Sequence, residues 1–202
     1  MLKLYGMSGS GNCYKPVLLM AHLGLRHEWV EVDVIGGATR QPDFLALNPN
    51  GKVPLLEVEP GKTLSESNAM LCYLAEGTDW LPKERWARAK VMEWLFFEQY
   101  SHEPAIATVR FWVKYLGKRR LWRDKIAQTM EKGRTALQVM EQRLGRSPWL
   151  AGGQPTIADI ALYAYTHVAH QGGHEMDRYP AVQRWLARVA ALPAHVVMPD
   201  SE

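Results

Sequence analysis

Cysteine, long apolar runs and an excess of charge of either sign are all scarce in this sequence of 202 residues. Its two cysteines are too few for a disulfide framework or for a zinc site built from thiolates. No apolar run approaches the roughly 20 residues of a membrane-spanning helix, and the first residues contain no apolar signal core. We therefore expect a cytoplasmic protein with no membrane partner.

The charge balance is mild, with 24 basic and 21 acidic residues and a net charge of +3. Dispersed charge of this size gives no reason to expect nucleic acid as a partner. Hydrophobic residues make up 47% of the chain and charged residues 22%, which excludes a disordered or collagen-like protein. Tryptophan, by contrast, is abundant: eight residues predict either a bulky core or an aromatic-lined pocket.

Residues 1–77 alternate between strand and helix patterns. Apolar residues repeat every second position in some segments and every third or fourth position in others, and turn residues separate the segments. The predicted elements are strand 2–5, helix 12–23, strand 29–34, helix 42–47, a hairpin of strands 53–59 and 62–64, and helix 67–76. The predicted order is β-α-β-α-β-β-α, which is an α/β domain.

Residues 78–86 are predicted to be a linker, and residues 87–202 have helical periodicity. Thr156 and Asp159 have the spacing of a capping box, in which each side chain bonds the other residue's backbone at the start of a helix. The predicted helices lie near 86–116, 121–144, 156–170 and 181–191. The chain is thus predicted to be an α/β domain followed by an all-α domain.

A glycine-rich loop, residues 6–13, leads from the first strand into the first helix, whose free N–H groups can stabilise an anion. The loop lacks the lysine of a Walker motif and the glycine order of a dinucleotide-binding loop, which disfavours phosphate. Ser10 and Cys13 have the spacing of a C-x-x-C redox motif with serine first. A hydroxyl in that position can donate a hydrogen bond to a ligand's thiolate. The alternative is that Ser10 only caps the helix.

Two further segments have both a binding and a structural interpretation. Pro54 opens an apolar strand, which favours a cis peptide bond and an edge strand whose Val53 backbone pairs with an extended peptide. Later, Ser65 or Ser67 is predicted to cap a helix whose N–H groups bind a carboxylate, while Glu66 binds an ammonium group. This pair of charges suits the α-amino acid end of a ligand. An ordinary edge proline and simple capping are the alternatives.

In this order and spacing, the segments resemble the cytosolic glutathione S-transferases over essentially the whole chain. The resemblance is carried by Leu4-Tyr5 leading into the loop with Ser10 and Asn12, by NPNGKVPL at 48–55, by LSESNAM at 64–70 with Tyr73-Leu74, and by the TIAD start of the capped helix at 156–159. The resemblance implies a thioredoxin-like N-terminal domain, an all-helical C-terminal domain that contributes the electrophile pocket, and a homodimer. It also implies a detoxifying transferase with glutathione as co-substrate and no metal.

The same resemblance assigns roles to individual residues. Ser10 matches the serine of the theta-like classes, and Ser10 with Asn12 matches a Thr/Asn pair of the bacterial nu-like class, so both would stabilise the glutathione thiolate. Glutathione would be bound at its γ-glutamyl end by Glu66 and Ser67, at its cysteinyl backbone by Val53 before a cis Pro54, and at its glycyl carboxylate by Lys52, Thr39 and Arg40. The electrophile pocket would contain Met7, Tyr100, Arg110 and Trp112.

The chain departs from the family pattern in having its cysteine at position 13 rather than at the thiol-activating place. Two alternatives to conjugation therefore stay open: a glutathione-dependent disulfide or peroxide reductase that uses Cys13 or bound glutathione, and a non-catalytic glutathione-binding regulatory protein. Three histidines, at 167, 170 and 174, share helical spacing, but the glycine pair at 172–173 interrupts that helix. A metal site is therefore not predicted.

Overall fold

The computed structural model describes residues 1–118 and 120–199, which form two compact units. The first unit comprises Met1–Glu76 with the C-terminal segment from Pro193, and the second comprises Gly77–Leu192. Within the described part of the chain, no helix has both the length and the hydropathy needed to cross a membrane.

The C-terminal segment departs from the predicted division, which placed everything after residue 87 in the helical domain. Residues 193–199 belong to the α/β unit. Its hydrogen bonds explain why: the Tyr14 hydroxyl donates to the Val196 carbonyl over 2.5 Å, and Nδ1 of His22 lies 2.8 Å from the carbonyl of Pro193. Both bonds join the C-terminal segment to the first helix. Sequence periodicity does not reveal such long-range contacts.

The α/β unit has the predicted order of elements. They are β1 (Leu2–Gly6), α1 (Gly11–His22), β2 (His27–Glu31), α2 (Pro42–Leu47), β3 (Leu55–Glu59), β4 (Lys62–Ser65) and α3 (Ser67–Ala75). The sheet has the order β2-β1-β3-β4, with β1 and β2 parallel and β3 antiparallel to both of its neighbours. Helices α1 and α3 pack against each other, and the core includes the fully buried Leu4, Leu18, Leu55, Leu56, Met70 and Leu71.

Two strands differ from their prediction. The alternating pattern placed β2 at 29–34, but pairing with β1 ends at Glu31, and Asp33 then turns the chain by accepting a bond of 2.7 Å from the Gly36 N–H. Strand β3 is an inner strand, not an edge strand. Pro54 is compatible with this position because the first paired residue is Leu55, so no ladder hydrogen bond is lost.

The helical unit contains α4 (Arg85–Phe97), α5 (Glu103–Arg110), α6 (Arg123–Leu144), α7 (Ile157–Thr166) and α8 (Pro180–Ala190). The helix predicted at 86–116 is divided by two π-helical segments, Glu98–His102 and Phe111–Tyr115. Pro104 follows the first of them, and its missing N–H removes one α-helical hydrogen bond at this point. Each π-segment adds a residue to its turn and thereby changes the helix face that the following residues occupy.

Helix α7 forms the centre of the helical unit, since all ten of its residues are buried. The predicted capping box between Thr156 and Asp159 is confirmed. Most of the tryptophans belong to this unit by sequence, and Trp94, Trp149 and Trp185 are buried in it. These three side chains serve the core, which was one of the two roles that the composition allowed.

Candidate functional site

Ser10 lies at the N-cap of α1, with φ −79° and ψ 121°. Its Oγ accepts a long hydrogen bond of 3.4 Å from the Cys13 N–H, and its side chain is half-buried. No acidic residue occupies the first turn of α1, so the positive end of the helix is not neutralised from within. Capping uses a lone pair of the hydroxyl and leaves its proton to donate. The two roles weighed for Ser10 are therefore compatible.

The loop before α1 is held by Glu31, which the sequence analysis did not single out. Its carboxylate accepts bonds of 2.8 Å and 2.7 Å from the backbone N–H and hydroxyl of Ser8, and one of 2.8 Å from the indole N–H of Trp29. Partial burial opposes ionisation, but the bonds from Ser8 and Trp29 outweigh it and lower the pKa of Glu31. The only sequence signal was an acid at the end of a strand, which is common on surfaces.

Helix α3 begins at Ser67, and its N-cap is Glu66 rather than either serine. Glu66 has φ 67° and ψ 112°, a backbone conformation that residues other than glycine rarely adopt and one that concentrates at functional sites. No side chain caps the helix. Ser67 is buried, and its hydroxyl donates to Oδ1 of Asn12 over 3.3 Å. This bond joins the N-terminal turns of α1 and α3.

A third part of the site is the turn before β3. The Val53–Pro54 peptide bond is cis, as predicted. Asn48 closes the turn by donating from Nδ2 to the carbonyl of Lys52 over 2.8 Å. The guanidinium of Arg40 donates to the Asn50 carbonyl over 3.3 Å, which brings the short helix at 38–40 beside this turn.

The basic side chains near that turn are exposed while the neighbouring hydroxyl is not. Arg40 and Lys52 lie on the surface, and Thr39 is only 4% exposed. Of the three residues assigned to the glycyl carboxylate, the two cations are therefore the accessible ones. An anion approaching the turn meets two positive charges without desolvating them fully.

Cys13 lies in the first turn of α1, beside Ser10, but its thiol is not activated. Burial raises the pKa of its thiol to about 11, although the side chain of Ser10 and the backbone N–H of Met7 favour the thiolate. The side chain is 1% exposed. At pH 8 the Cys13 side chain is therefore almost entirely the neutral thiol.

We expect a thiol-specific aromatic disulfide reagent at pH 8 to modify only Cys72 quickly in the native protein. Cys72 is half-buried, whereas Cys13 is buried. Cys13 should react at a comparable rate only after unfolding, because its thiolate is rare and covered. Counting the thiolate released against time in native and denatured protein checks this. In Cys72→Ser the fast phase should vanish, whereas a persisting fast phase would assign reactivity to Cys13.

Two apolar cavities lie near residues assigned to the electrophile, one in each unit. The α/β unit has a cavity of about 270 Å³ whose lining includes Met7, Ser10, Cys13, Tyr14, Trp29 and Met198. The helical unit has a groove of about 840 Å³ whose lining includes Phe97, Tyr100, Thr108, Trp112, Ala136 and Val139. Tyr100 and Trp112 thus share one groove. Arg110 is buried instead, and its Nε donates to Gln171 Oε1 over 2.7 Å.

The three histidines with helical spacing have separate environments. Nδ1 of His167 lies 2.8 Å from the Tyr163 carbonyl, and its ring stacks on that of Tyr163. His170 is exposed, while His174 is buried, and burial lowers the pKa of His174 to about 4. In the part of the chain that the structure describes, no three histidine, cysteine or acidic residues are grouped as metal ligands.

A mixed four-stranded sheet, a serine at the N-terminus of the first helix and a cis-proline before the third strand define a thioredoxin-like domain, here followed by a helical domain. The chain belongs to the glutathione S-transferase family and is an enzyme of that class. The model of the glutathione S-transferase N-terminal domain matches residues 1–76, and the model of the C-terminal domain matches residues 107–188.

Similar proteins include glutathione S-transferase 3 of Zea mays, which is 37% identical over 96% of this chain and 90% of its own length. The disulfide-bond oxidoreductase YfcG of Escherichia coli is 31% identical over 96% of this chain and 92% of its own length. A glutathione S-transferase structure from Pseudomonas fluorescens has 51% identity and a TM-score of 0.96, covering 98% of this chain and 99% of that one. A Burkholderia graminis glutathione transferase, with 30% identity, a TM-score of 0.84 and coverage of 96% and 85%, holds two glutathione molecules per subunit.

Proposed function

We propose that this enzyme conjugates the thiolate of glutathione to hydrophobic electrophiles, and that Ser10 and the N-terminus of α1 stabilise the thiolate. The observation that carries the proposal is the placement of Ser10 at the N-cap of a helix with no acid in its first turn. One charge-assisted hydrogen bond contributes about 1.5–3 kcal/mol and a helix N-terminus about 0.3–1 kcal/mol. Together these lower a thiol pKa by about two units.

Glutathione is held in this proposal by the three parts of the α/β unit described above. Its γ-glutamyl end binds Glu66 and Ser67, where an acid stands at the N-terminus of α3. Its cysteinyl backbone pairs with Val53, and its glycyl carboxylate binds Lys52 and Arg40, with Thr39 behind them. The Burkholderia graminis relative, which holds two glutathione molecules per subunit, supports glutathione as the ligand.

Conjugation then needs little beyond a stabilised thiolate and a nearby electrophile. The thiolate sulfur forms a bond to the electrophilic carbon, and the leaving group departs with the electron pair of the bond that breaks. Hydrophobic electrophiles are proposed to contact Met7 in the cavity of the α/β unit, and Tyr100 and Trp112 in the groove of the helical unit, because both linings are apolar. The cytoplasm is the proposed location because it keeps glutathione reduced.

A homodimer is part of the proposal. Large apolar side chains are exposed on each unit, including Tyr73 of α3 at 51% and Trp86 and Phe96 of α4 at 72% and 71%. Exposed apolar side chains of this size are typical of surfaces that a partner covers. Sedimentation equilibrium tests the assembly, and a monomer at micromolar concentration contradicts it.

The test of the proposed chemistry is an ultraviolet titration of the thiolate of protein-bound glutathione in the wild-type enzyme. We expect the pKa of the bound thiol to lie about two units below that of the free thiol. Glutathione that binds with an unchanged thiol pKa would contradict thiolate stabilisation. The protein would then be a glutathione-binding protein rather than a transferase of this mechanism. Turnover of a chlorodinitrobenzene, in which the thiolate displaces chloride, reports conjugation in the same samples.

A second candidate function is reduction of small disulfides by two glutathione molecules. The raised pKa of the Cys13 thiol favours this route over one through the protein's own cysteine. The first glutathione thiolate attacks the disulfide and expels one thiolate; the second attacks the mixed disulfide, giving glutathione disulfide and the second thiol. YfcG and the neighbour with two bound glutathione molecules support it. Full reductase activity in Cys13→Ser, without conjugation by either protein, would favour it.

A further inference from the structure

Lys15 of α1 is a fully buried lysine that the proposed mechanism does not use. Its side chain is 0% exposed, and its Nζ donates to Ser67 Oγ over 3.2 Å and to Asn68 Oδ1 over 3.3 Å. Both acceptors are in the first turn of α3. Lysine is almost never fully buried, because removing an ammonium group from water is costly. The position of this charge therefore needs an explanation beyond packing.

The position of the Lys15 ammonium group suits an anionic ligand at Ser67. A helix N-terminus carries a partial positive charge, so an ammonium group placed there is repelled. A carboxylate arriving at Ser67 is attracted both by the N–H groups of α3 and by the charge of Lys15 beneath that residue. A carboxylate bound at Ser67 thus gains from the charge of Lys15 as well as from the helix N-terminus.

The hydrogen bonds from Lys15 to Asn12, at the start of α1, all donate in the same direction. An ammonium group only donates, so the Ser67 oxygen accepts from Lys15 and sends its own proton to Asn12 Oδ1 over 3.3 Å. This turns the amide nitrogen of Asn12, which only donates, away from Ser67. Asn12 lies two residues after Ser10, in the turn that faces the thiolate in the proposed function.

We propose that Lys15 is a positioning residue that couples recognition of the γ-glutamyl carboxylate at Ser67 to stabilisation of the thiolate at Ser10 and Asn12. The coupling rests on the proposed function. A carboxylate that accepts the Ser67 proton takes it from Asn12, so the orientation of the Asn12 amide depends on whether the carboxylate site is occupied. Lys15 holds the Ser67 oxygen in place during this exchange.

The test compares the thiol pKa of two bound ligands, glutathione and its analogue γ-aminobutyryl-cysteinyl-glycine, which lacks the γ-glutamyl carboxylate. In the wild-type enzyme we expect the analogue's thiol pKa to be higher by about one unit, a tenfold coupling. In Lys15→Met the pKa with glutathione should rise by a similar amount, and the difference between the two ligands should disappear. Lys15→Arg keeps the charge and should restore most of the difference.

Lys62→Met is the matched control, because it removes a lysine charge from the exposed β3–β4 hairpin of the same unit. It should leave both pKa values unchanged. A Lys15→Met enzyme that loses thermal stability but keeps the wild-type difference between the ligands would overturn the coupling and leave Lys15 a structural role. Lys15→Gln, which keeps a donor without the charge, allows the same comparison if the methionine variant does not fold. A wild-type enzyme that does not lower the thiol pKa at all would instead overturn the proposed function.

Discussion

Ser10→Ala is expected to lower kcat/KM for conjugation by about 10- to 1000-fold, because each unit by which the pKa of the bound thiol rises lowers the ionised fraction about tenfold at a pH below that pKa. The hydroxyl of Ser10 is the side-chain donor placed at the start of α1, and alanine keeps the backbone N–H groups of the helix but not that proton. The thiol pKa of bound glutathione should rise in parallel, because the lost hydrogen bond stabilised the thiolate relative to the thiol before attack. Stopped-flow rates and the ultraviolet titration, measured on one preparation, check both effects.

The loss of the cap must be separated from the loss of the donor. Alanine at an N-cap costs about 1 kcal/mol of stability, whereas glycine costs only a few tenths. Ser10→Gly is therefore the matched variant: it should be nearly as stable as the wild type yet as inactive as Ser10→Ala. Ser10→Thr restores a hydroxyl and should recover most of the rate. Wild-type rates in the alanine and glycine variants would show that Asn12 or the backbone of α1, rather than Ser10, stabilises the thiolate.

Asp159→Ala is expected to lower the free energy of unfolding by about 3–5 kcal/mol, since it leaves several buried donors without an acceptor. The Asp159 carboxylate is fully buried and accepts from the backbone N–H groups of Leu150 and Thr156 over 3.1 Å and 2.9 Å. It also accepts from the indole N–H of Trp185 over 2.9 Å. One side chain thus fixes the start of α7, the preceding loop and α8.

The measurement is urea unfolding followed by tryptophan fluorescence, to which the buried Trp185 contributes. Asp124→Ala is the matched control, because Asp124 also lies in the first turn of a helix but is exposed. It should cost less than about 1 kcal/mol. A loss of similar size in both variants would show that the buried network around Asp159 does not stabilise the unit more than an exposed first-turn acid does.

The order of elements followed from local sequence because each element carries its own signal. Period-two and helical patterns identified the strands and helices of the α/β unit, and the spacing of Thr156 and Asp159 identified the start of α7. The cis bond before Pro54 was predicted because X-Pro pairs allow it and because the family resemblance implies it. Ser10 and Glu66 were found as members of short motifs in which chemistry and capping coincide.

Long-range partners were missed. In the sequence, Lys15 has the pattern of an ordinary helix residue. Only the packing of α1 on α3 shows that its ammonium group is buried against Ser67. Glu31 ends a strand, and only the fold brings the loop with Ser8 to its carboxylate. Arg110 was assigned to the electrophile pocket from the family resemblance, and only the fold shows that it is buried and that its Nε donates to Gln171.

The sequence by itself determined the family, the two-part organisation and the capped start of α7. Tertiary structure alone decided that β3 is an inner strand, that the segment from Pro193 joins the α/β unit, and that Ser67 links a buried lysine to Asn12. The physical reason is the range of the interactions. Periodicity and capping act within a few residues, whereas burial and hydrogen bonds across about fifty residues exist only once the chain has folded.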